Sequence, residues 1–425
     1  MVSLACHLDD SETFTQKALQ WAMQFDHACY LDSNGYRDNY GNIDVFIAVG
    51  SVASFTSDGH DTFPKLQRFI DSHPNTWIPG FLGYDLKNEL EELHSRHPNL
   101  IGFPDAYFFV PQYTLLIGQY NVEIKGADPR AIVKQIEATV LTEEPPGFKG
   151  QLKYRMNRAA YASAFAGLQH HIRKGDIYEV NLCQEFFADT ASLNPLGAYR
   201  RLNEVSPTPF SCFFKFGQKY ILSASPERFL SKNGDILLSQ PIKGTAPRGK
   251  TASEDEQLKA TLAANPKEIS ENIMIVDLVR NDLTRSAQPG TVKASELLQI
   301  HSFKQVHQLI STVTCRIRDG LNATETIRNT FPPGSMTGAP KISAMKLIDQ
   351  YENSRRGIYS GALGYFSPHG NYDFSVVIRT MLYNAENGYL SFHTGGAITD
   401  SADAENEYNE CLLKGKALFE VLKSQ

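Results

Sequence analysis

The stretch YSGALGYFSPHGNYDFSVVIRTMLYNAENGYLSFHTGGAI, Tyr359 to Ile398, decides the fold class. Short apolar and aromatic runs alternate with polar positions along it, the two-residue period of half-buried strands, and they follow one another as hairpins. SCFFKFGQKYILSAS, Ser211 to Ser225, is a further hairpin of the same kind. Consecutive hairpins make antiparallel sheets, and the long helical stretches between them must lie over those sheets. The chain is therefore predicted to be α+β, layered and antiparallel rather than doubly wound and parallel.

Working outward, the 425 residues have room for a sizeable core, and a composition of 42% hydrophobic and 21% charged residues is ordinary for a globular chain. A formal net charge of -6 offers no basic field to attract nucleic acid or anionic lipid, so a small ligand is expected. MVSLACHLDD is not a signal peptide and no apolar run approaches membrane-spanning length, which reads as a soluble, cytoplasmic protein. The six cysteines lack a C-x-x-C pair, in keeping with reduced thiols. LTEEPPGFKG is the clearest compositional break and divides the chain into an N-terminal region, 1–145, and a C-terminal region, 150–425. Within the first, NIDVFIAVGSVASF, IPGFLGYDL and AYFFVPQYTLLIGQYNVEIKG read as strands and SETFTQKALQWAMQF as a helix.

Several short stretches carry chemistry. PIKGTAPRG, Pro241 to Gly249, leaves a strand-like run and places Lys243 where a sheet hands a side chain to a cavity; the ordinary alternative is a lysine reaching solvent. NPKEISENIMIVDLVRNDL is a helix with Asn265 as its cap, Pro266 in the first turn and Glu268 placed for a capping box. One apolar stripe runs through Ile269, Ile273, Val276, Val279 and Leu283, and a second through Met274, Ile275 and Leu278, whose enclosed face Glu271 shares and where a carboxylate needs a cation or hydrogen bonds. In AENEYNECLLKGKALFEVL, Glu407, Glu410 and Lys414 lie on one helical face. Glutamates from two helices suit Mg2+, a hard cation that takes oxygen ligands and retains water; solvated Glu/Lys pairing is the alternative. PPGSMTGAPK lacks the ending and spacing of a phosphate loop. HTGGAITDS reads as a glycine-rich turn at the end of a hairpin, able to receive a carboxylate with Arg379 as bidentate partner; an ordinary hairpin turn is the alternative.

Taken together, SASPERF, PIKGTAPRG, ENIMIVDLVRNDL, GSMTGAPK, GALGY, VIRT, GGAI and EYNE, in unbroken order between Lys153 and Leu422, resemble the chorismate-utilising enzymes. That family contains anthranilate, aminodeoxychorismate, isochorismate and salicylate synthases. CYLDSN and PGFLGYD resemble its N-terminal region. The resemblance implies two facing antiparallel sheets flanked by helices, chorismate as substrate and Mg2+ as cofactor. Lysine at the third position of PIKGT is similar to the branch that forms 4-amino-4-deoxychorismate, whereas anthranilate synthases carry alanine there. It implies Lys243 as nucleophile, Glu227 as general acid and His307 as an active-site histidine facing the ring, with a satisfied core histidine as its alternative. It implies Glu271 and Glu410 as metal ligands with Glu407 close by. Thr245, Arg379, Gly395, Gly396, Ala397 and Lys414 would bind substrate.

Glu179, in GDIYEVNLCQEF, departs from the family pattern of glutamine in amine-adding members and lysine in water-adding ones. It is placed with the substrate-binding groups. The amine would be ammonia, supplied from glutamine by a partner glutamine amidotransferase subunit. Anthranilate synthesis is the alternative activity, followed by isochorismate or salicylate synthesis and a non-catalytic chorismate-binding regulator.

Overall fold

The computed structural model describes residues 2–423 apart from 38, 39, 42, 143 and 305. Among them the strands form two antiparallel sheets, one of twelve strands and one of ten, with helices on the outer faces. The expected α+β class is borne out, and so are the hairpins of the deciding stretch. Ala362–Phe366 pairs with Tyr372–Val376 in the smaller sheet, and Thr380–Asn384 with Tyr389–Ile398 in the larger.

Both sheets draw strands from either side of the Pro145–Gly150 segment. Val45–Val49 shares the larger sheet with Tyr389–Ile398, and Ile78–Leu82 pairs directly with Ala362–Phe366 in the smaller. The sheets face each other across an aromatic layer. Phe81 meets Phe214 edge-on with centroids 5.7 Å apart, and Tyr107 stacks on Phe216 at 4.7 Å.

Two of the chain's changes of sheet lie in neighbouring places. Between Lys219–Ser225 and Arg228–Asn233 it leaves the larger sheet for the smaller, and between Tyr372–Val376 and Thr380–Asn384 it returns. The crossings run side by side: Val376 N donates to Glu227 O at 2.9 Å, and Ser225 Oγ to Val376 O at 2.6 Å.

The Pro266–Thr284 helix starts as expected, Asn265 accepting from the amides of Lys267 and Glu268. Two expectations for it fail. Glu268 does not close a capping box but turns toward Gly244, and the buried stripe runs through Asn272, Ile275, Val276, Val279 and Leu283, leaving Ile273 47% exposed. Asn272 sets this rotation, because its amide bonds Leu309 O and its carbonyl accepts from Ser311 Oγ.

A buried ion pair locks the larger sheet to the helix Lys341–Tyr351. Arg356 is 3% exposed; its guanidinium donates to both oxygens of Glu352, to the carbonyls of Met336 and Asn181 and to Ser360 Oγ. Glu352 also accepts from the Cys183 amide. Arg356→Met would strand the Glu352 carboxylate, and the expected cost is about 3–5 kcal/mol. Urea unfolding measures it; a loss under about 1 kcal/mol would contradict the role given to this pair.

Candidate active site

Glu227 and Arg379 occupy these two neighbouring sheet crossings. Arg379 has a left-handed backbone, φ +50°, unusual for a long side chain and a mark of a position held by its surroundings. Among the described residues no carboxylate lies within ion-pair distance of its guanidinium, which leaves its donors open to an anionic ligand. Burial pushes the Glu227 carboxyl up to about 7, with Ser335, the Lys243 charge, the Ile242 amide and Arg379 opposing it. Glu227 can therefore hold a proton near neutrality and give it up to a leaving group.

Lys243 arrives from the edge of the smaller sheet. Ile242–Pro247 pairs with Val306–Arg316 through a register shift between Ile242 and Thr245, where Gly244 has φ +90°. Lys243 Nζ meets Glu179 Oε1 of the larger sheet at 2.8 Å; the side chains are 11% and 2% exposed. The lysine reaches inward across the sheets, not to solvent. Burial favours loss of its proton, but the charges of Glu179, Glu271 and Glu227 outweigh burial and hold the ammonium above its ordinary range. Glu179 Oε2 is buried without a hydrogen-bond partner.

The carboxylates of two helices border this pair. Lys267 Nζ stands 3.7 Å from Glu271 and 3.3 Å from Glu407, and Lys414 Nζ 2.7 Å from Glu410 and 3.0 Å from Gly395 O. Burial raises Glu271 to about 7. Among the described residues no three acidic, histidine or cysteine side chains are gathered closely enough to hold a metal ion. The donors nevertheless fit Mg2+ in kind: all are oxygens, a lysine ammonium already bridges the two helices as a cation, and Glu271 Oε1 is buried without a hydrogen bond.

Two expectations need correction. Gly395, Gly396 and Ala397 are not a turn: Tyr389–Ile398 is one strand, in register with Glu179–Ala188 from Val180 to Ala188. The glycines serve close approach, since a Cβ on Gly395 would lie 2.4 Å from Cys183 Sγ and one on Gly396 2.6 Å from Glu407 Oε2. His307 is not brought to Lys243 and Glu227. Both ring nitrogens are engaged, with Ser302 Oγ and Asp255 Oδ1 at 2.9 Å, on the face that packs against the Ala252–Ala264 helix. That is the arrangement of a satisfied core histidine.

Sequence reasoning passed over two residues. Gln308 lies directly opposite Thr245, 2% exposed, with Oε1 unpartnered. Strand alternation turns it to the face opposite His307, the signal that was available. Ser335, in the GSMTGAPK stretch, lines the same cavity as Glu227 and favours its carboxylate, and nothing in its local pattern marks it.

A carboxyl held at about 7 in the fold and near 4.5 when unfolded contributes stability that is whole below pH 4.5 and is lost as pH rises through 7. Glu227→Gln has no charge to bury and is expected to gain on the wild type by up to about 3 kcal/mol by about pH 8, with little difference at about pH 4.5. Urea midpoints across that range test this; a difference constant with pH would contradict it.

The model of the chorismate binding enzyme family matches residues 26–420. Aminodeoxychorismate synthase of Streptomyces griseus is 40% identical over 81% of this chain, which spans 50% of that protein's length. Aminodeoxychorismate synthase component 1 of Escherichia coli (strain K12) is 33% identical over 100% of this chain and 98% of its own length. The crystal structure of anthranilate synthase component I from Streptococcus pneumoniae TIGR4 superposes with a TM-score of 0.78 at 26% identity, covering 91% of this chain and 94% of that one. With two facing antiparallel sheets, motifs meeting between them and a family match over nearly its whole length, the chain belongs to the chorismate binding enzymes and is a chorismate-utilising enzyme.

Proposed function

We propose that this chain converts chorismate and ammonia to 4-amino-4-deoxychorismate. The observation that carries the reading is Lys243: an amino group aimed between the sheets onto Glu179, near enough to Glu227 for their charges to act on each other, and Glu227 is a carboxyl able to hold a proton at neutral pH. The likeness to aminodeoxychorismate synthases supports it.

In this reading the neutral Lys243 amine adds at ring C2 as the C4 hydroxyl leaves, and Glu227 supplies the proton that turns hydroxide into water. Ammonia then adds at C4 and expels the lysine. Arg379, Lys414 and the strand at Gly395–Ala397 hold the substrate's carboxylates, and Thr245, with Gln308 opposite, lines the Lys243 side. Mg2+ held by Glu271 and Glu410, with Glu407 nearby, would supply charge that anchors the ring carboxylate.

The likeness to an anthranilate synthase gives the second reading, which Lys243 opposes: forming anthranilate requires no covalent lysine. For nitrogen from glutamine we propose a partner amidotransferase subunit. The component 1 name of the Escherichia coli relative is consistent with that, and among the described residues no cysteine thiol is hydrogen-bonded to a histidine.

Protein held with chorismate and magnesium but no ammonia is expected to carry a mass adduct on the Lys243 peptide, absent from Lys243→Ala. Full activity in that variant would refute the nucleophile. The purified chain is expected to use ammonium salts but not glutamine, and Glu271→Gln and Glu410→Gln should each need more magnesium for half-maximal rate. Glutamine use by the single chain, or an unchanged magnesium requirement, would overturn the corresponding assignment.

A further inference from the structure

An ammonium has no electron pair with which to attack, so the proposed role of Lys243 requires somewhere for its proton to go. The inference here rests on that role. Glu179 Oε1 is the sole acceptor at hydrogen-bond distance from Nζ among the described residues. Glu271 and Glu268 from the Pro266–Thr284 helix, Glu410 from the Ala404–Lys414 helix and Glu227 from the sheet crossing act on Lys243 through their charge, all beyond ion-pair distance. Arg379 acts on Glu227. Glu179 itself is 2% exposed and its second oxygen has no partner, so among the described residues nothing else competes for its lone pairs.

We propose that Glu179 is the base that takes the proton of Lys243. In the free protein the carboxylates around Lys243 favour the ion pair. A ring that closes over the partly exposed Lys243 strips the solvation this end of the pair retains, and a neutral amine beside a neutral carboxyl then becomes accessible. The N–H bond breaks with its electron pair left on Nζ, and the proton binds Glu179 Oε1. The nitrogen pair bonds ring C2, the ring π pairs shift, and the C4–O pair departs with oxygen, which collects the Glu227 proton and leaves as water. When ammonia adds at C4 the π pairs return and the C2–N bond breaks with its pair on Nζ. Glu179 returns its proton to that amine, and the new C4 ammonium gives one to the Glu227 carboxylate. Both acids are then as they began.

Because the first transfer occurs inside the pair, it exchanges no proton with solvent and adds no acid-side pH dependence. Glutamine at this position has no such acceptor, and Lys243 must then lose its proton to water. The test follows the rate of adduct formation on the Lys243 peptide in single turnovers from about pH 5.5 to about pH 8, comparing wild type, Glu179→Gln and Glu179→Asp. The wild type is expected to be flat below about pH 7, and Glu179→Gln to rise up to tenfold per pH unit over the same range. Glu179→Asp keeps a carboxylate and is expected to be slower but flat. A variant damaged only in its structure would be slower by one factor at every pH, so a parallel profile for Glu179→Gln overturns the proposal while leaving Lys243 as nucleophile. Product formation by the wild type with no adduct at any pH overturns both.

Discussion

A guanidinium shut away from water must satisfy five N–H groups, and Arg356 does so with bonds to Glu352, Met336 O, Asn181 O and Ser360. Those partners belong to the strand that begins at Glu179, the GSMTGAPK stretch and the residues leading into the deciding hairpins. Glu352 reaches the same strand again through the Cys183 amide. One buried cation thus fixes three segments relative to one another. Two of them deliver site groups, Glu179 and Ser335, so the arrangement of the site depends on a pair that never touches a ligand.

Around that anchor the site is assembled from both sheets. The smaller contributes Lys243, the larger Glu179 and Gly395–Ala397, and the crossings between them contribute Glu227 and Arg379. Burial outweighs the charges and hydrogen bonds that oppose it at the carboxyls and brings Glu227 and Glu271 to about 7, while Lys243, surrounded by acidic groups, keeps its proton tightly. The result is an acid that can donate near neutrality beside an amine that needs an acceptor, which is what replacing a hydroxyl by an amine through a covalent lysine demands.

Much of this was legible in the chain. The hairpins of Tyr359–Ile398 gave the antiparallel class through their two-residue period, and Asn265 and Pro266 marked a helix start that the structure reproduces. What failed did so where tertiary contacts outrank local pattern. Gly395 and Gly396 look like turn residues, yet they are strand residues whose missing side chains admit Cys183 and Glu407. The Pro266–Thr284 helix is rotated by the hydrogen bonds of Asn272, a polar residue that an apolar stripe ignores. His307 and Gln308 differ by one position in a strand, and one position reverses the face. Nor does local pattern reveal that strands from both sides of Pro145–Gly150 share the sheets, since pairing across hundreds of residues leaves no local trace.

The central claim is that this site places nitrogen on C4 of chorismate and keeps the enolpyruvyl side chain. The most direct measurement is the product formed by the purified chain from chorismate, magnesium and nitrogen-15 ammonium, identified by mass and by nitrogen–carbon coupling in NMR. The account predicts a product that retains the enolpyruvyl group with labelled nitrogen on C4 and no pyruvate released. Labelled nitrogen ortho to the ring carboxyl, with pyruvate released in equal amount, would contradict it.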